Sequence, residues 1–180
     1  MKTRIILPDT DGISEAGAIL RSGGLVAFPT ETVYGLGANA LDATATKHIY
    51  EAKGRPSDNP MIVHVANIDM LNGVASGVTD AQKAIMSKLW PGPITFVLHK
   101  NPAVPDVTTG GLDTVAVRWP SRREAAEIIE AAGVPIAAPS ANISGKPSPT
   151  TFEDVAEDMD GRIDAIVKGE RTAIGIESTV

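Results

Sequence analysis

Short apolar runs alternate with helix-forming segments along the whole chain, and this alternation restricts the fold more than any other feature of the sequence. Apolar runs bounded by turn residues predict six strands, at residues 25–28, 61–65, 94–98, 115–117, 136–138 and 165–167. Strands mixed with helices of about 10 residues are typical of an α/β layer structure. Because no helix is predicted between the strands on either side of residues 101–111, we expect a mixed sheet.

Capping residues and glycines mark the ends of the predicted helices. Thr79 with Gln82 and Thr151 with Asp154 have the spacing of a capping box, and Ser121 with Glu124 has the same spacing. Glycines after residues 53 and 132 are typical helix stops. The predicted helices are residues 13–21, residues 44–53, one from the Thr79 cap to residue 89, one from the Ser121 cap to residue 133, and one that starts at the Thr151 cap.

The composition indicates one soluble domain with an aliphatic core. The chain has 180 residues, of which 43% are hydrophobic and 4% are aromatic. Cysteine is absent, which excludes disulfides, thiolate zinc sites and cysteine nucleophiles. We predict one domain over residues 1–180. Because no apolar run approaches the roughly 20 residues of a membrane span, we also expect no membrane contact and a location in the cytoplasm.

The charge is unevenly distributed. The net charge is −6, yet residues 47–123 hold nine Lys and Arg against six Asp and Glu, whereas residues 151–180 hold three against eight. The acidic stretch is interpreted as a solvated helix face, and the basic middle is the part that could attract a nucleotide or RNA. The acidic total argues against tight nonspecific binding of nucleic acid.

Two polar segments carry groups that suit an anionic ligand. Residues 29–37 (PTETVYGLG) place two threonine hydroxyls, a carboxylate and two glycines after a predicted strand, although a tight turn with a threonine cap would explain them equally well. In residues 53–60 (KGRPSDNP), a glycine and two prolines stiffen a turn that holds Lys53 and Arg55. Pairing with the helix dipole is the simpler explanation, but a rigid pair of cations suits a triphosphate.

Three further features extend this pattern. Arg118 ends an apolar strand and must therefore find an anion or extend to solvent. Residues 139–151 and 175–180 are rich in small and hydroxyl side chains, which form either a nucleotide cradle or a surface loop. A serine–histidine–aspartate arrangement, metal-ligand spacing and a dinucleotide fingerprint are all missing. The residues alone thus indicate a cation-bearing anion site and leave the reaction open.

Six segments in this order resemble the YrdC-like family of threonylcarbamoyl-AMP synthases. They are PTETVYGLG, KGRPSDNP followed by MIVHV, WPGPIT, VAVRWP, APSANISGKPSPTT and GIESTV, and they span residues 29–180. The resemblance implies a twisted mixed sheet flanked by helices around a concave basic cavity. It also implies a nucleotidyltransferase that forms threonylcarbamoyl-AMP and pyrophosphate from L-threonine, bicarbonate or CO2, and ATP. The product would serve threonylcarbamoyl modification of the adenosine beside the tRNA anticodon.

The same resemblance implies ligand contacts, residue by residue. The matching positions around L-threonine are Thr32, His64, Arg118, Ser140 and Ser178. Those around ATP are Arg55, Asn59, Thr114, Ala138, Asn142 and Ser148. Lys53 and Arg55 are the expected catalytic residues, which would stabilise charge on the phosphates as pyrophosphate leaves, and Arg118 would pair with the carboxylate of the amino acid.

Cofactor and partners follow from the resemblance as well. Mg2+ would travel with ATP, held by phosphate oxygens and water and by no dedicated protein ligands. Separate transferase proteins would pass the group to tRNA, and weak binding of double-stranded RNA is compatible with this role. Family members normally continue beyond GIESTV into another strand and an arginine contact. We therefore expect a chain truncated at its C-terminal end to fold and bind threonine but to bind ATP weakly.

Two other functions remain open at this point. One is a module that binds double-stranded RNA, against which the acidic total and the scarcity of aromatic residues argue. The other is a regulatory module that binds a nucleotide without turnover. Release of pyrophosphate from ATP that depends on threonine and bicarbonate would distinguish the enzyme from both.

Overall fold

In the computed structural model, which describes residues 2–180, nine strands form one mixed sheet and six helices accompany it. The strands are β1 (Arg4–Ile6), β2 (Val26–Pro29), β3 (Tyr34–Asn39), β4 (Ile62–His64), β5 (Ala75–Ser76), β6 (Thr95–Lys100), β7 (Thr114–Arg118), β8 (Ile136–Ala137) and β9 (Ala165–Val167). The helices are α1 (Thr10–Arg21), α2 (Ala43–Lys53), α3 (Ile68–Val74), α4 (Asp80–Leu89), α5 (Arg123–Ala132) and α6 (Phe152–Met159). Within residues 2–180, no helix is long and apolar enough to cross a membrane.

The order of the strands confirms the predicted mixed sheet. It is β1-β9-β2-β3-β8-β4-β7-β6-β5. β9 is parallel to β1 and β2, and β4 is parallel to β7, whereas the other pairs among the described strands are antiparallel. β6 and β7 are antiparallel neighbours, and the connection between them contains no helix. The sheet is therefore mixed for the reason predicted from that connection.

Helices cover both faces of the sheet. On one face, Leu20 of α1 and Ile128 of α5 share a buried cluster with Phe28 of β2. On the other face, Ile49 of α2 packs in a second cluster with Ala27, the preceding residue of β2. Ala27 and Phe28 point to opposite faces because successive side chains of a strand alternate. The core is therefore two layers of aliphatic side chains with the sheet between them.

The local signals for helix ends are confirmed with one exception. Thr79 and Thr151 are the N-caps of α4 and α6, and both form a complete capping box. Gly54, with a φ of 61°, ends α2 in the left-handed conformation that glycine adopts at low cost. The cap predicted at Ser121 is wrong. The N-cap of α5 is Arg122, and no side chain caps it.

β3 covers a stretch for which the sequence predicts no strand. Its two glycines, Gly35 and Gly37, have low strand propensity, but both pack closely against neighbouring side chains. A Cβ at Gly37 would lie 2.7 Å from Phe28 Cε1, and one at Gly35 would lie 3.3 Å from Ala138 Cβ. β3 therefore forms because its bare backbone fits between β2 and β8, where strand pairing outweighs low intrinsic propensity. The short elements β1, α3 and β5 were also not predicted.

Close packing of α1 on α5 yields a stability prediction. A Cβ at Gly17 of α1 would lie 2.7 Å from both the carbonyl carbon and the Cβ of Ala131 in α5. We expect Gly17→Ala to lower the free energy of unfolding by about 1–2 kcal/mol, because separating the helices costs more than the roughly 1 kcal/mol gained in helix propensity. Denaturant unfolding measures this difference.

Gly73 in α3 provides the matched control, since a Cβ there meets no atom within 4 Å. Gly73→Ala should leave stability unchanged or raise it, through helix propensity alone. A Gly17→Ala protein as stable as the Gly73→Ala protein would contradict the packing argument.

Candidate functional site

An open cleft lies where the β2–β3 turn, β4, the end of β8 and the C-terminal segment meet. It is lined by members of residues 30–35, 60–64, 138–140 and 177–178, together with the side chains of Arg55 and Arg118. The walls come from segments that are far apart in the chain and adjacent in the sheet. The cleft therefore gathers groups from five of the six motifs in the sequence.

The β2–β3 turn presents Thr32 to the cleft. Thr30 Oγ1 donates to the carbonyl of Val33 at 2.7 Å and lies 2.9 Å from Thr32 Oγ1. The Thr32 amide donates to Thr30 Oγ1 at 3.2 Å. Because these bonds are local and buried, they fix the position of the Thr32 hydroxyl before any ligand arrives.

Arg118 is a buried cation that is fixed from several sides. It ends β7 and is 3% exposed, and its Nη2 lies 2.7 Å from Glu31 Oε1. Its Nη1 donates to Thr32 Oγ1 at 2.9 Å, and its Nε donates to the Gly92 carbonyl at 3.4 Å. A buried charge needs a partner of opposite sign, and Glu31 supplies it. The remaining donor capacity of the guanidinium faces a cleft that can take an anion.

His64 stands beside Arg118 and is neutral. The parallel pairing of β4 with β7 sets the two residues side by side. Burial and, next in size, the charge of Arg118 lower the pKa of His64 to about 3. Its Nδ1 is buried without a hydrogen-bond partner. His64 therefore contributes an uncharged imidazole ring to the cleft lining.

Arg55 reaches the cleft from the turn after α2. Its Nη2 donates to the carbonyl of Pro60 at 3.0 Å, which braces the side chain against its own turn. Its Nε is buried without a partner. Burial lowers the pKa of Arg55 from its usual value, but an arginine remains charged at physiological pH. Arg55 is therefore a braced cation with donor capacity to spare.

Lys53 is not part of the cleft lining. It is 2% exposed, and its Nζ donates to the carbonyl of Ser140 and, at 2.7 Å, to that of Asn142. The Oδ1 of Asn142 lies 3.4 Å from the same nitrogen. The phosphate contact expected of Lys53 stays a prediction. In this structure its ammonium is directed at backbone carbonyls behind the wall of the cleft.

The C-terminal segment closes one side of the cleft. The amides of Ile174 and Gly175 each donate at 2.9 Å to the β2–β3 turn, at the carbonyls of Glu31 and Thr32. Ser178 Oγ lies 2.7 Å from Thr95 Oγ1 of β6. These bonds join the segment to two separate parts of the sheet and hold its hydroxyls against the cleft.

The cleft brings together seven of the predicted site residues: Thr32, His64, Arg118, Ser140, Ser178, Arg55 and Ala138. Five others lie outside the lining. Lys53, described above, and Asn142 are buried behind the lining, and Asn59 is exposed on the neighbouring turn. The Ser148 hydroxyl donates to Glu177 at 2.8 Å. Thr114 is the first residue of β7, four residues before Arg118. The ligand roles of all twelve stay predictions.

Sequence reasoning missed Glu177, although the residue lies in one of the motifs. Among the described residues, it is the only carboxylate in the cleft lining, which also contains two arginines. Thr30, Gly35 and Pro139 also line the cleft and were not assigned. The cavity is therefore less basic than expected, since the charge of Arg118 is already matched by Glu31.

Known proteins share this sequence and fold. A family model described as telomere recombination, Sua5_yciO_yrdC, matches residues 18–180. A threonylcarbamoyl-AMP synthase of Pyrococcus abyssi is 57% identical over 165 residues, which are 92% of this chain and 48% of that protein. One of Bacillus subtilis is 55% identical over 169 residues, 93% of this chain and 49% of that protein.

A solved structure of P. abyssi Sua5 complexed with L-threonine superposes with a TM-score of 0.94 at 52% identity, covering 99% of this chain and 53% of that one. The chain spans about half the length of the curated relatives it matches. The family match covers most of the chain, and the relatives are similar over nearly all of it. The chain therefore belongs to the Sua5–YciO–YrdC family.

Proposed function

We propose that the protein forms threonylcarbamoyl-AMP and pyrophosphate from L-threonine, bicarbonate or CO2, and ATP. The observation that supports this most is the presence of Arg118, His64 and Thr32 on one wall of the cleft with Arg55 on another. The named function of the P. abyssi and B. subtilis relatives supports the same reaction.

The wall formed by Thr32, His64 and Arg118 suits a small amino acid. A guanidinium already fixed by Glu31 and Thr32 can bind a carboxylate without further ordering of its side chain. Ser140 and Ser178 add hydroxyls at the rim, and the neutral His64 adds no repulsion toward an ammonium group. We propose that the amino acid binds here with its carboxylate at Arg118.

The wall that carries Arg55 suits the phosphates of ATP. Arg55 has an unpartnered Nε and a braced guanidinium, and Ala138 leaves room for the nucleotide beside β8. Asn59, Thr114, Asn142 and Ser148 retain their proposed ATP contacts, although they lie outside the cleft lining of this structure. Their contact would require the nucleotide to extend beyond the cleft or the neighbouring turns to move.

The proposed reaction has two bond-forming steps. The ammonium of threonine loses a proton, the amine attacks the carbon of CO2, and loss of a second proton to solvent gives the carbamate. With bicarbonate, the same attack breaks a C–O bond, and the oxygen leaves as water. A carbamate oxygen then attacks the α-phosphorus of ATP, the bond to the bridging oxygen breaks, and pyrophosphate leaves. Phosphoryl chemistry of this kind depends on positioning and on charge stabilisation. Fixed hydroxyls and arginines can supply both without a protein nucleophile.

Mg2+ would enter with ATP, and it would supply charge neutralisation at the phosphates. Among the described residues, no group of three or more acidic or histidine side chains could hold a metal ion, and Glu177 is the single carboxylate of the lining. This donor set fits a cation that phosphate oxygens bring with them.

We further propose that separate transferase proteins use the product to modify the adenosine beside the tRNA anticodon.

Amino-acid specificity gives the first functional prediction. Pyrophosphate release from ATP should require threonine, with serine poorer by roughly fivefold or more, because burial of the threonine methyl contributes about 1 kcal/mol. The measurement is pyrophosphate release with threonine, serine or no amino acid, each with and without bicarbonate. Equal rates with serine, or release without any amino acid, would show that the proposed substrate is wrong.

Arg55 gives the second functional prediction. Arg55→Ala should weaken ATP binding by about 10- to 100-fold, because a charge-assisted contact to phosphate contributes about 1.5–3 kcal/mol. Threonine binding should change little, since its proposed carboxylate contact is Arg118. Calorimetric titration with each ligand separately measures both affinities.

Arg123→Ala is the matched control, because that side chain is 70% exposed on α5 and, within residues 2–180, forms an ion pair only with Glu127. It should bind both ligands like the unmodified protein. ATP affinity that stays unchanged in a folded Arg55→Ala protein would remove Arg55 from the proposed nucleotide site.

A further inference from the structure

Lys53 is a buried charged group to which the proposed reaction assigns no contact. It is the last residue of α2, and its side chain passes behind the cleft to the segment that follows β8. Its Nζ has the carbonyl oxygens of Ser140 and Asn142 and the side-chain oxygen of Asn142 as acceptors. An ammonium has three donors, so these three acceptors use its full capacity.

The backbone of Lys53 holds the same segment. Its carbonyl accepts the amide of Ser144 at 2.8 Å, so one residue contacts the segment at positions 140, 142 and 144. Ser140 lines the cleft, whereas Asn142 does not. The lysine is therefore placed to determine where Ser140 stands.

Residues 140–144 are also held by two hydrogen bonds that do not involve Lys53. The Ala141 amide donates to the carbonyl of Tyr34 in β3 at 2.9 Å. The Ile143 amide donates to Asp158 Oδ2 of α6 at 3.0 Å. Among the described contacts, only Lys53 donates a hydrogen bond to the carbonyls of residues 140 and 142. Two convergent carbonyls without a donor would leave buried acceptors unsatisfied.

We propose that Lys53 is a positioning residue that clamps residues 140–144 to α2 and so fixes the amino-acid wall of the cleft, rather than a ligand of the phosphates. The choice of threonine and ATP as ligands rests on the proposed function. The clamp itself rests on the hydrogen bonds of Lys53. It separates Lys53 from Arg55, which the sequence places two residues later on the same turn.

The ionisation of Lys53 offers a way to test the clamp. Burial lowers the pKa of Lys53 to about 8, with Arg55 lowering it further and Glu177 and Asp158 opposing. Asp158 is itself paired with Lys146. As the pH rises through about 8, the ammonium loses one of its three donors and its charge, so its hold on the two carbonyls weakens. The pKa of Tyr34, at about 12, lies well above this window.

The test compares Lys53→Met with Lys47→Met, which removes an exposed lysine from the same helix. Calorimetric titration at pH 7 should show threonine and ATP each weakened about tenfold by Lys53→Met, because the cost of ordering the released segment adds to the binding free energy of either ligand. Lys47→Met should change neither affinity. Loss of ATP affinity alone in a folded Lys53→Met protein would indicate a phosphate ligand and overturn the clamp.

A second measurement does not depend on the variant folding. The affinities of the unmodified protein for threonine and for ATP should both fall between pH 7.5 and 9.5, with a midpoint near 8. The triphosphate does not change charge there, because the second pKa of a phosphate is roughly 6. A fall in ATP affinity alone would indicate a phosphate ligand, and constant affinity for both ligands would show that the clamp does not depend on the ammonium; either result would overturn the clamp.

If the unmodified protein bound neither ligand at any pH, the proposed function would fail while the clamp could still be judged. In that case, amide hydrogen exchange of residues 141–146 should be faster in Lys53→Met than in Lys47→Met. Equal exchange rates would overturn the clamp.

Discussion

The two-residue strand β8 holds the two halves of the sheet together, and the cleft depends on it. It pairs antiparallel with β3 on one side and with β4 on the other. The pairing continues beyond the strand, where the Ala138 amide donates to Ile62 at 2.9 Å and the Pro139 carbonyl accepts the Leu36 amide at 2.8 Å. Residues 138–140 then leave the sheet at the floor of the cleft. A strand this short specifies the site because both of its edges are bonded.

The buried cations in the cleft lining and behind it are each balanced by fixed partners. Arg118 has Glu31, Lys53 has backbone carbonyls, and His64 stays neutral beside them. Burial of a charge is costly unless such partners are already in place. Arg55 differs, because its contacts are to the carbonyls of its own turn. The least balanced cation is thus the one that an incoming anion would stabilise most.

The sequence predicted those parts of the fold that local chemistry determines. Capping boxes located α4 and α6 to the residue because both partners lie within one turn of helix. β3 could not be predicted, since Gly35 and Gly37 weaken a strand and become useful only against Phe28 and Ala138, which other segments supply. The cap at Ser121 failed for the opposite reason, because the correct spacing was present but the chain enters α5 one residue later.

The same distinction explains the candidate site. Motif order predicted which segments would meet, and seven of the twelve candidate residues do line one cleft. The motifs could not predict the direction of each side chain, because that direction depends on partners elsewhere in the chain. Lys53 and Arg55 are two residues apart in sequence. Lys53 lies behind the cleft lining, where it donates to the carbonyls of residues 140 and 142. Arg55 lines the cleft and donates to the carbonyl of Pro60. A cationic motif therefore indicates that a site exists, whereas only the acceptors around each cation decide which of them faces the ligand.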